Sequence, residues 1–403
     1  MAAAIGLTAV SVALLPCYLR RPSRSLPRAS AQLGVYLDSV SSAASALRDG
    51  QLVAFPTETV YGLGAHAFDA NACARIFRVK GRPRSDPLIV HVDSALAAEP
   101  LVTLGSEGLA LLRRLADAFW PGPLTLVAPA NPSLPTEVTA GSGFVGVRCP
   151  NHSLALRLLS EARVPVAAPS ANRFGHVSPT RAEHVMDDLG ESDIFVLRGE
   201  TLALEVSWQG CCEVGIESTV LRLSEASREL TLLRRGGVPE AELQRWLASD
   251  LSGYSFAVQV SHATPSVSEA LPAPGSLLTH YAPDAPSFLL SLDEHASENS
   301  LLVASLSDAV VIDFGGKFAS LQPLAAEYKD LSSAADATEA SAELFSALRW
   351  AEQRAKAQGR CVLLPDLSAG AGESLPALHD RLYRAASGKR ALLSEGLVRE
   401  TPS

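Results

Sequence analysis

The stretch Leu52-Val53-Ala54-Phe55-Pro56-Thr57-Glu58-Thr59-Val60-Tyr61-Gly62-Leu63-Gly64 joins a short apolar run to a loop dense in functional groups. Four apolar residues stopped by a proline have the length and composition of a buried strand. The loop behind it offers hydroxyls and a carboxylate and closes on two glycines, and the carboxyl edge of a strand is where open α/β sheets bind ligands. A threonine-rich turn that satisfies its own backbone has the same spelling, so both readings stand here.

Outward from this stretch, Val40 to Leu47 reads as a short amphipathic helix stopped by Asp49-Gly50. Asn71 to Val79 sets Ala72, Ile76 and Val79 at helical spacing, with Asn71 or Asp69 as N-cap. Leu88 to Val92, Leu124 to Ala128, Gly143 to Arg148 and Val164 to Ala168 read as strands, and Ser106 to Phe119 as a helix. This alternation with short connections predicts an α/β fold. Ser261 to Ser276, with Pro265, Pro272 and Pro274, reads as an extended linker that runs into Thr279-His280-Tyr281-Ala282-Pro283. Beyond it, Ser287 to Leu290, Leu301 to Val303, Val310 to Asp313 and Cys361 to Leu364 are short apolar runs. The helix Ala334 to Gln358, with Leu344, Leu348 and Ala351 on one face, completes a second, smaller α/β unit.

The 403 residues are 47% hydrophobic and 19% charged, which excludes a disordered chain and is long enough for about two to three domains. Lys and Arg total 34 against 43 Asp and Glu, a net charge of −9. Strong direct nucleic-acid binding is therefore not expected, although a local basic pocket is allowed. The cysteines at 17, 73, 149, 211, 212 and 361 form no CxxC pair and read as reduced, buried thiols. No uncharged apolar run approaches the roughly 20 residues that span a bilayer, so no membrane partner is expected. From Met1 to Leu37 there is no acidic residue, and Arg20, Arg21, Arg24 and Arg28 alternate with Ser23, Ser25 and Ser30. Such a leader resembles a transit peptide for mitochondrion or plastid; a disordered cytoplasmic leader and a secretory signal are the alternatives.

Further chemistry lies in several segments. Lys80-Gly81-Arg82-Pro83-Arg84-Ser85-Asp86-Pro87-Leu88 places three cations within five residues, stiffened by two prolines, and suits an anion cradle better than a solvated face. His91 follows inside a strand, where a histidine is more often a core residue. Arg148 ends a strand beside Pro150 and can meet a ligand carboxylate or a structural acid. Ala168-Pro169-Ser170-Ala171-Asn172 and Ser178-Pro179-Thr180 offer small residues and hydroxyls for close ligand approach, with helix capping as the competing use. Glu217-Ser218-Thr219-Val220 and Leu233-Arg234-Arg235-Gly236-Gly237 complete the polar set. Gly141 to Gly146 spells GxGxxG, but strand-like Phe144 to Arg148 follows where a helix is required, so it is not a dinucleotide fingerprint.

Taken together, Pro56 to Gly64, Lys80 to Pro83 with Pro87-Leu88 and His91, Pro121-Gly122-Pro123-Leu124-Thr125, Val147-Arg148, Pro169 to Asn172, Ser218-Thr219-Val220 and Arg234 resemble the YrdC/Sua5 family of L-threonylcarbamoyladenylate synthases. The resemblance continues through His280-Tyr281-Ala282-Pro283 to Asp380-Arg381-Leu382 and Arg384-Ala385-Ala386, so it covers roughly residues 36 to 393 and is of the two-domain Sua5 type.

The resemblance implies a YrdC-like twisted open mixed sheet with helices, joined by the extended linker to a smaller, Rossmann-like Sua5 domain. The implied boundaries are a leader over 1–35, a catalytic domain over 36–260, a linker over 261–286, a C-terminal domain over 287–393 and a tail over 394–403. It implies that L-threonine, bicarbonate and ATP give threonylcarbamoyl-AMP and pyrophosphate, with Mg²⁺ on the phosphates. A tRNA threonylcarbamoyl-transferase complex then uses the product on adenosine 37 of ANN-decoding tRNAs. By family analogy Thr59, His91, Arg148, Ala168, Ser218 and Thr219 hold threonine, while Lys80, Arg82, Asp86, Phe144, Ser170, Ser178, Arg234 and Tyr281 surround ATP. Asp86 stands where Asn is usual and is awkward beside phosphates unless it faces Arg84 or Mg²⁺. Phe144 replaces a common Thr, and Arg235 a usual Pro. Two rivals are a double-stranded RNA-binding module, disfavoured by the acidic total, and a carbamoyl-transfer enzyme of the hydrogenase-maturation type, whose acylphosphatase and zinc-finger segments are not visible.

Overall fold

Val53–Phe55 and Gly62–His66 pair antiparallel as a hairpin, so Pro56 to Tyr61 is the loop between two strands rather than a strand-to-helix turn. The second strand escapes sequence reading because Gly-Leu-Gly-Ala-His has little strand propensity. Its glycine has a steric reason: a Cβ on Gly64 would lie 2.7 Å from Val166 Cγ1 and 2.9 Å from Phe55 Cε1. The computed structural model describes residues 33–198, 212–251, 253–260, 271, 277–291, 301–368, 372–394 and 396–401. The leader reading, most of the linker and the end of the tail lie outside these residues.

In chain order the strands of the first sheet are β1 (Val35–Leu37), β2 (Val53–Phe55), β3 (Gly62–His66), β4 (Ile89–His91), β5 (Leu124–Pro129), β6 (Phe144–Arg148), β7 (Val166–Ala167), β8 (Phe195–Leu197), β9 (Thr219–Ser224), β10 (Glu229–Arg234) and β11 (Ser255–Val258). They lie in the order β1-β8-β2-β3-β7-β4-β6-β5-β9-β10-β11, with parallel and antiparallel pairs mixed. Register sets up the chemistry: β4 and β6 are parallel with His91 opposite Arg148, and β9 and β10 are antiparallel with Val220 opposite Arg234. The helix Ala70–Lys80 is capped by Asp69, whose carboxylate accepts from the Asn71 and Ala72 amides at 2.9 and 3.0 Å, and it delivers Lys80 at its last position.

The second sheet contains β12 (Ser287–Ser291), β13 (Leu301–Ser305), β14 (Ala309–Asp313), β15 (Glu327–Asp330), β16 (Cys361–Pro365), β17 (Arg390–Ser394) and β18 (Leu397–Glu400), in the order β13-β18-β17-β12-β16-β14-β15. The five strands from β17 to β15 are parallel, with an antiparallel pair at the β13 edge. This is an α/β layer, but its strand order is not the 3-2-1-4-5-6 order of a dinucleotide-binding Rossmann sheet. The helix Ala337–Lys356 buries Leu344, Leu348 and Ala351, as its spacing predicts.

The two sheets belong to one compact unit. One apolar cluster includes Val60 of the hairpin loop, Val177 and Ile216 together with Tyr281, Leu344 and Phe345. Gly215 rests on the backbone of the helix Ala337–Lys356, so that a Cβ there would come within 2.4 Å of Ala342 Cα and Ser341 O. Cys73, Cys149 and Cys361 are buried free thiols and Cys212 is buried; Cys17 and Cys211 lie outside the described residues. Among the described residues no helix is long and apolar enough to cross a membrane.

Candidate active site

The hairpin loop resolves its two sequence readings residue by residue. Thr57 serves the backbone: its hydroxyl donates to Val60 O at 2.6 Å and accepts from the Thr59 and Val60 amides. Thr59 serves the site, its hydroxyl accepting from Arg148 Nη1 at 3.0 Å. Arg148 also donates from Nε to Gly122 O, and its Nη2 lies 2.7 Å from Glu58 Oε2. All of these groups are buried. Burial and the Arg148 charge push the His91 imidazole down to about 3, so it is neutral near pH 7.

Around this centre lies a cavity of about 50 Å³, lined by Thr59, His91, Arg148, Ala168, Ser170, Ser218, Arg82, Arg234 and Tyr281 of the expected set. Thr57, Glu217 and His280 complete its polar wall. The cavity is small beside the roughly 300–1,000 Å³ that ligand pockets usually enclose. Larger cavities of about 590 Å³ beside Phe144 and about 420 Å³ beside Arg235 lack this convergence of buried charge and are not candidates for the chemistry.

The cations are held rather than loose. Arg82 turns back on its own loop, donating to Asp86 O and Pro87 O and pairing with Asp86 Oδ1 at 2.9 Å. Asp86 therefore faces Arg82, not Arg84. Burial raises the Asp86 carboxyl against the pull of Arg82. Arg234 donates to Ser218 O at 2.9–3.0 Å and to Ser218 Oγ at 3.1 Å, and Ser218 Oγ meets Thr125 Oγ1 at 2.8 Å. Lys80 donates to the carbonyls of Ser170, at 2.6 Å, and Asn172. Burial drives the Lys80 ammonium well below its ordinary value.

Four residues of the expected set stand behind the cavity wall. They are Lys80, Asp86, Ser178, which donates to Glu217 Oε1 at 2.7 Å, and Thr219, whose hydroxyl is closed on Val238 O and N. Phe144 is not brought to the site; it is 38% exposed on the separate cavity of Arg222 and Glu225. Arg235 points outward to Glu240 at 3.0 Å.

The segments that converge here match known proteins in the same order. A family model for Sua5, YciO and YrdC, described as "Telomere recombination", matches residues 45–236, and one described as "Threonylcarbamoyl-AMP synthase, C-terminal domain" matches 238–387. The chain belongs to the Sua5/YrdC family. Its order of domains is the two-domain Sua5 type. It is 42% identical over 245 residues to a "Threonylcarbamoyl-AMP synthase" of Pyrococcus abyssi (60% of this chain, 65% of that protein). The Bacillus subtilis protein of the same name is 40% identical (61% and 65%). The chain thus spans just under two thirds of the length of these two relatives. A "Putative threonylcarbamoyl-AMP synthase" of Mycobacterium tuberculosis is 43% identical over 38% of this chain and 68% of its own length. Among solved structures, P. abyssi Sua5 complexed with L-threonine aligns with a TM-score of 0.70 and 32% identity, covering 90% of this chain and 99% of that one.

Within this Sua5 frame, sequence reading did not assign three partners. Glu58 and Glu217 sit inside the quoted motifs, but nothing in their spacing reveals which cation each meets. Arg381 comes from the far end of the chain: its Nε reaches Glu217 Oε2 at 3.1 Å. His280 and Tyr281 were legible as a motif. In the structure Tyr281 is fully buried with φ +63°, its ring 5.3 Å from that of Phe345, and burial beside Glu217 pushes its hydroxyl up to about 12.

Proposed function

We propose that this Sua5-type chain is an L-threonylcarbamoyladenylate synthase. The observation that carries the reading is the convergence, in one buried cavity, of Thr59, His91 and Arg148 with Arg82, Arg234 and Tyr281. The first group suits an amino acid: Arg148 for its carboxylate, with Thr59 and a neutral His91 for its polar atoms. The second suits a nucleotide: Arg82 and Arg234 for phosphate charge, and Tyr281 for an apolar face.

In the proposed reaction the threonine amine takes up bicarbonate, releasing water and leaving a carbamate. A carbamate oxygen then attacks the α-phosphorus of ATP, and pyrophosphate departs with the electron pair of the broken P–O bond. The protein's part is alignment and charge neutralisation. Burial of the site supports this role by keeping water from the carbamate and the mixed anhydride.

The cavity's carboxylates already face partners, Glu58 at ion-pair distance from Arg148 and Glu217 bonded to Ser178 and Arg381. They form no cage of their own, which fits Mg²⁺ only as an ion held by phosphates and water, where it would neutralise phosphate charge. The product would pass to a tRNA threonylcarbamoyl-transferase complex for adenosine 37 of ANN-decoding tRNAs. The acid-free Arg/Ser leader supports import into a mitochondrion or plastid, and a fusion of residues 1–35 to a fluorescent protein tests it: diffuse cytoplasmic signal defeats the proposal.

Incubating the full chain with ATP, labelled bicarbonate and each amino acid in turn tests the activity. Pyrophosphate release and label capture should require threonine. Release without an amino acid, or with all of them equally, would overturn the assignment.

A further inference from the structure

The helix Leu375–Ala385 of the second sheet carries Arg381, whose guanidinium is wholly buried among residues of the first sheet and the linker. Its Nε donates to Glu217 Oε2 at 3.1 Å, and its Nη1 donates to Arg235 O at 2.6 Å. Its carbon lies 5.5 Å from the centre of the Tyr281 ring. Asp380 holds it from the same helix at 3.2 Å and also pairs with Arg384, which donates to Leu277 O in the linker.

Each of these contacts reaches a residue of, or beside, the nucleotide set, and Glu217 also adjoins Ser218 of the threonine set, which Arg234 holds at its carbonyl and hydroxyl. Glu217 accepts from Ser178, Arg235 follows Arg234, and Tyr281 is itself a wall. Thr59 and His91 have no bond to Arg381, and Arg148 is held instead by Thr59, Gly122 and Glu58.

We propose that Arg381 is a positioning residue for the nucleotide side of the site, through which the second sheet governs ATP use while leaving threonine recognition alone. The inference rests on the proposed assignment of the cavity to threonine and ATP. A joint that merely held the sheets together would not need this arrangement. A buried ion pair is costly to desolvate and contributes little net stability, and the sheets already meet through Val60, Ile216, Leu344 and Phe345 and through Gly215 on the helix backbone. Arg381 fixes where Glu217 and the Tyr281 ring stand, and a displacement of about 1 Å in a substrate-positioning group can cost about 100-fold in rate.

The test uses the full chain with Arg381→Met, Arg381→Lys and the charge-balanced double variant Arg381→Met/Glu217→Gln. Threonine binding and binding of α,β-methylene-ATP are measured separately by calorimetry, alongside pyrophosphate release. The inference expects Arg381→Met to lower kcat/KM for ATP by about 100-fold while the threonine Kd changes by less than about 2-fold. Arg381→Lys, which keeps the charge but loses the planar fork, should show the same split at smaller size. If Arg381→Met does not fold, the Lys and double variants decide. Equal loss of both ligands, or no loss, overturns the proposal. A wild-type chain that uses neither ATP nor threonine defeats the functional reading and this inference together; normal wild-type turnover without the split defeats this inference alone.

Discussion

Two charge clusters, one in the cavity and one at the junction with the segments C-terminal to the first sheet, are built on opposite terms. At the junction, His176 Nδ1 meets Asp188 at 2.7 Å and its Nε2 meets Glu352 at 2.8 Å. Arg349 clamps Asp188 at 3.1–3.2 Å and donates to Val177 O at 2.6 Å, while Lys356 and Arg173 both hold Asp284. In the cavity, by contrast, both Glu58 oxygens, Arg148 Nη2, His91 Nδ1, His280 Nδ1 and the Tyr281 hydroxyl are buried without a hydrogen bond among the described residues. Glu58 and Arg148 stand at ion-pair distance without hydrogen-bond alignment. Buried polar groups are ordinarily satisfied. At the junction, where among these groups Arg349 Nε alone is left over among the described residues, the cluster is structural; where more capacity is left over, it awaits a ligand. His176, Asp284 and Glu352 also have the proximity of a metal site, yet with Lys356 and Arg173 already neutralising them they read as a latch.

The contrast can be broken by substitution. The largest effect is expected for Arg148→Ala, made with Glu58→Gln to avoid a stranded charge: threonine-dependent pyrophosphate release should fall by about 1,000-fold with little change in unfolding midpoint. An unaltered rate would remove Arg148 from the site. Asp188→Asn should do the reverse, lowering the unfolding free energy in urea by about 3 kcal/mol because it leaves His176 and Arg349 short of a partner. Turnover of the folded fraction should stay near wild type, and a stability loss too small to measure would show the latch to be decorative.

A subtler test uses pH. Burial alone would lower the His176 imidazole, but Asp188 and Glu352 outweigh it and hold it above its ordinary 6.5. A histidine raised on folding contributes stability that is full below the unfolded value and is lost as pH climbs through the folded one. Thermal stability should therefore decline above about pH 6.5, and His176→Gln should flatten that slope. A slope that survives the substitution assigns it elsewhere. His91, held near 3, gives the cavity no such dependence, so turnover should show no His91 inflection between about pH 5 and 8. Phe144→Ala comes last: a change in the KM for ATP under about 2-fold is expected from its place on a separate cavity, and a large one would return it to the site.

The same contrast separates what was legible in the sequence from what was not. The site loops were legible because proline, glycine and hydroxyl residues announce special backbone at short range, as in Pro56 to Gly64 and Lys80 to Pro87. The buried helix face of Leu344, Leu348 and Ala351 was legible through its period. Strand β3 was not, since its Gly64 answers to the crowding of Phe55 and Val166, which is visible only in three dimensions. Nor was the pairing of Glu217 with Arg381, because no local rule relates residues so far apart. Asp86 fails differently, at short range: its partner is four residues back at Arg82, whereas the sequence pointed to Arg84 or Mg²⁺.

That long reach has a kinetic side. Strand β1 has no neighbour until β8 is made, and β2 and β5, though paired early with β3 and β6, wait for β8 and β9 on their other edges. Such late-closing pairings slow folding and expose apolar edges in the interval. The last support of the wall, Arg381 against Glu217 and Tyr281, arrives with the helix Leu375–Ala385. During refolding from denaturant, the secondary-structure signal should therefore return first, with catalytic competence lagging until that helix docks.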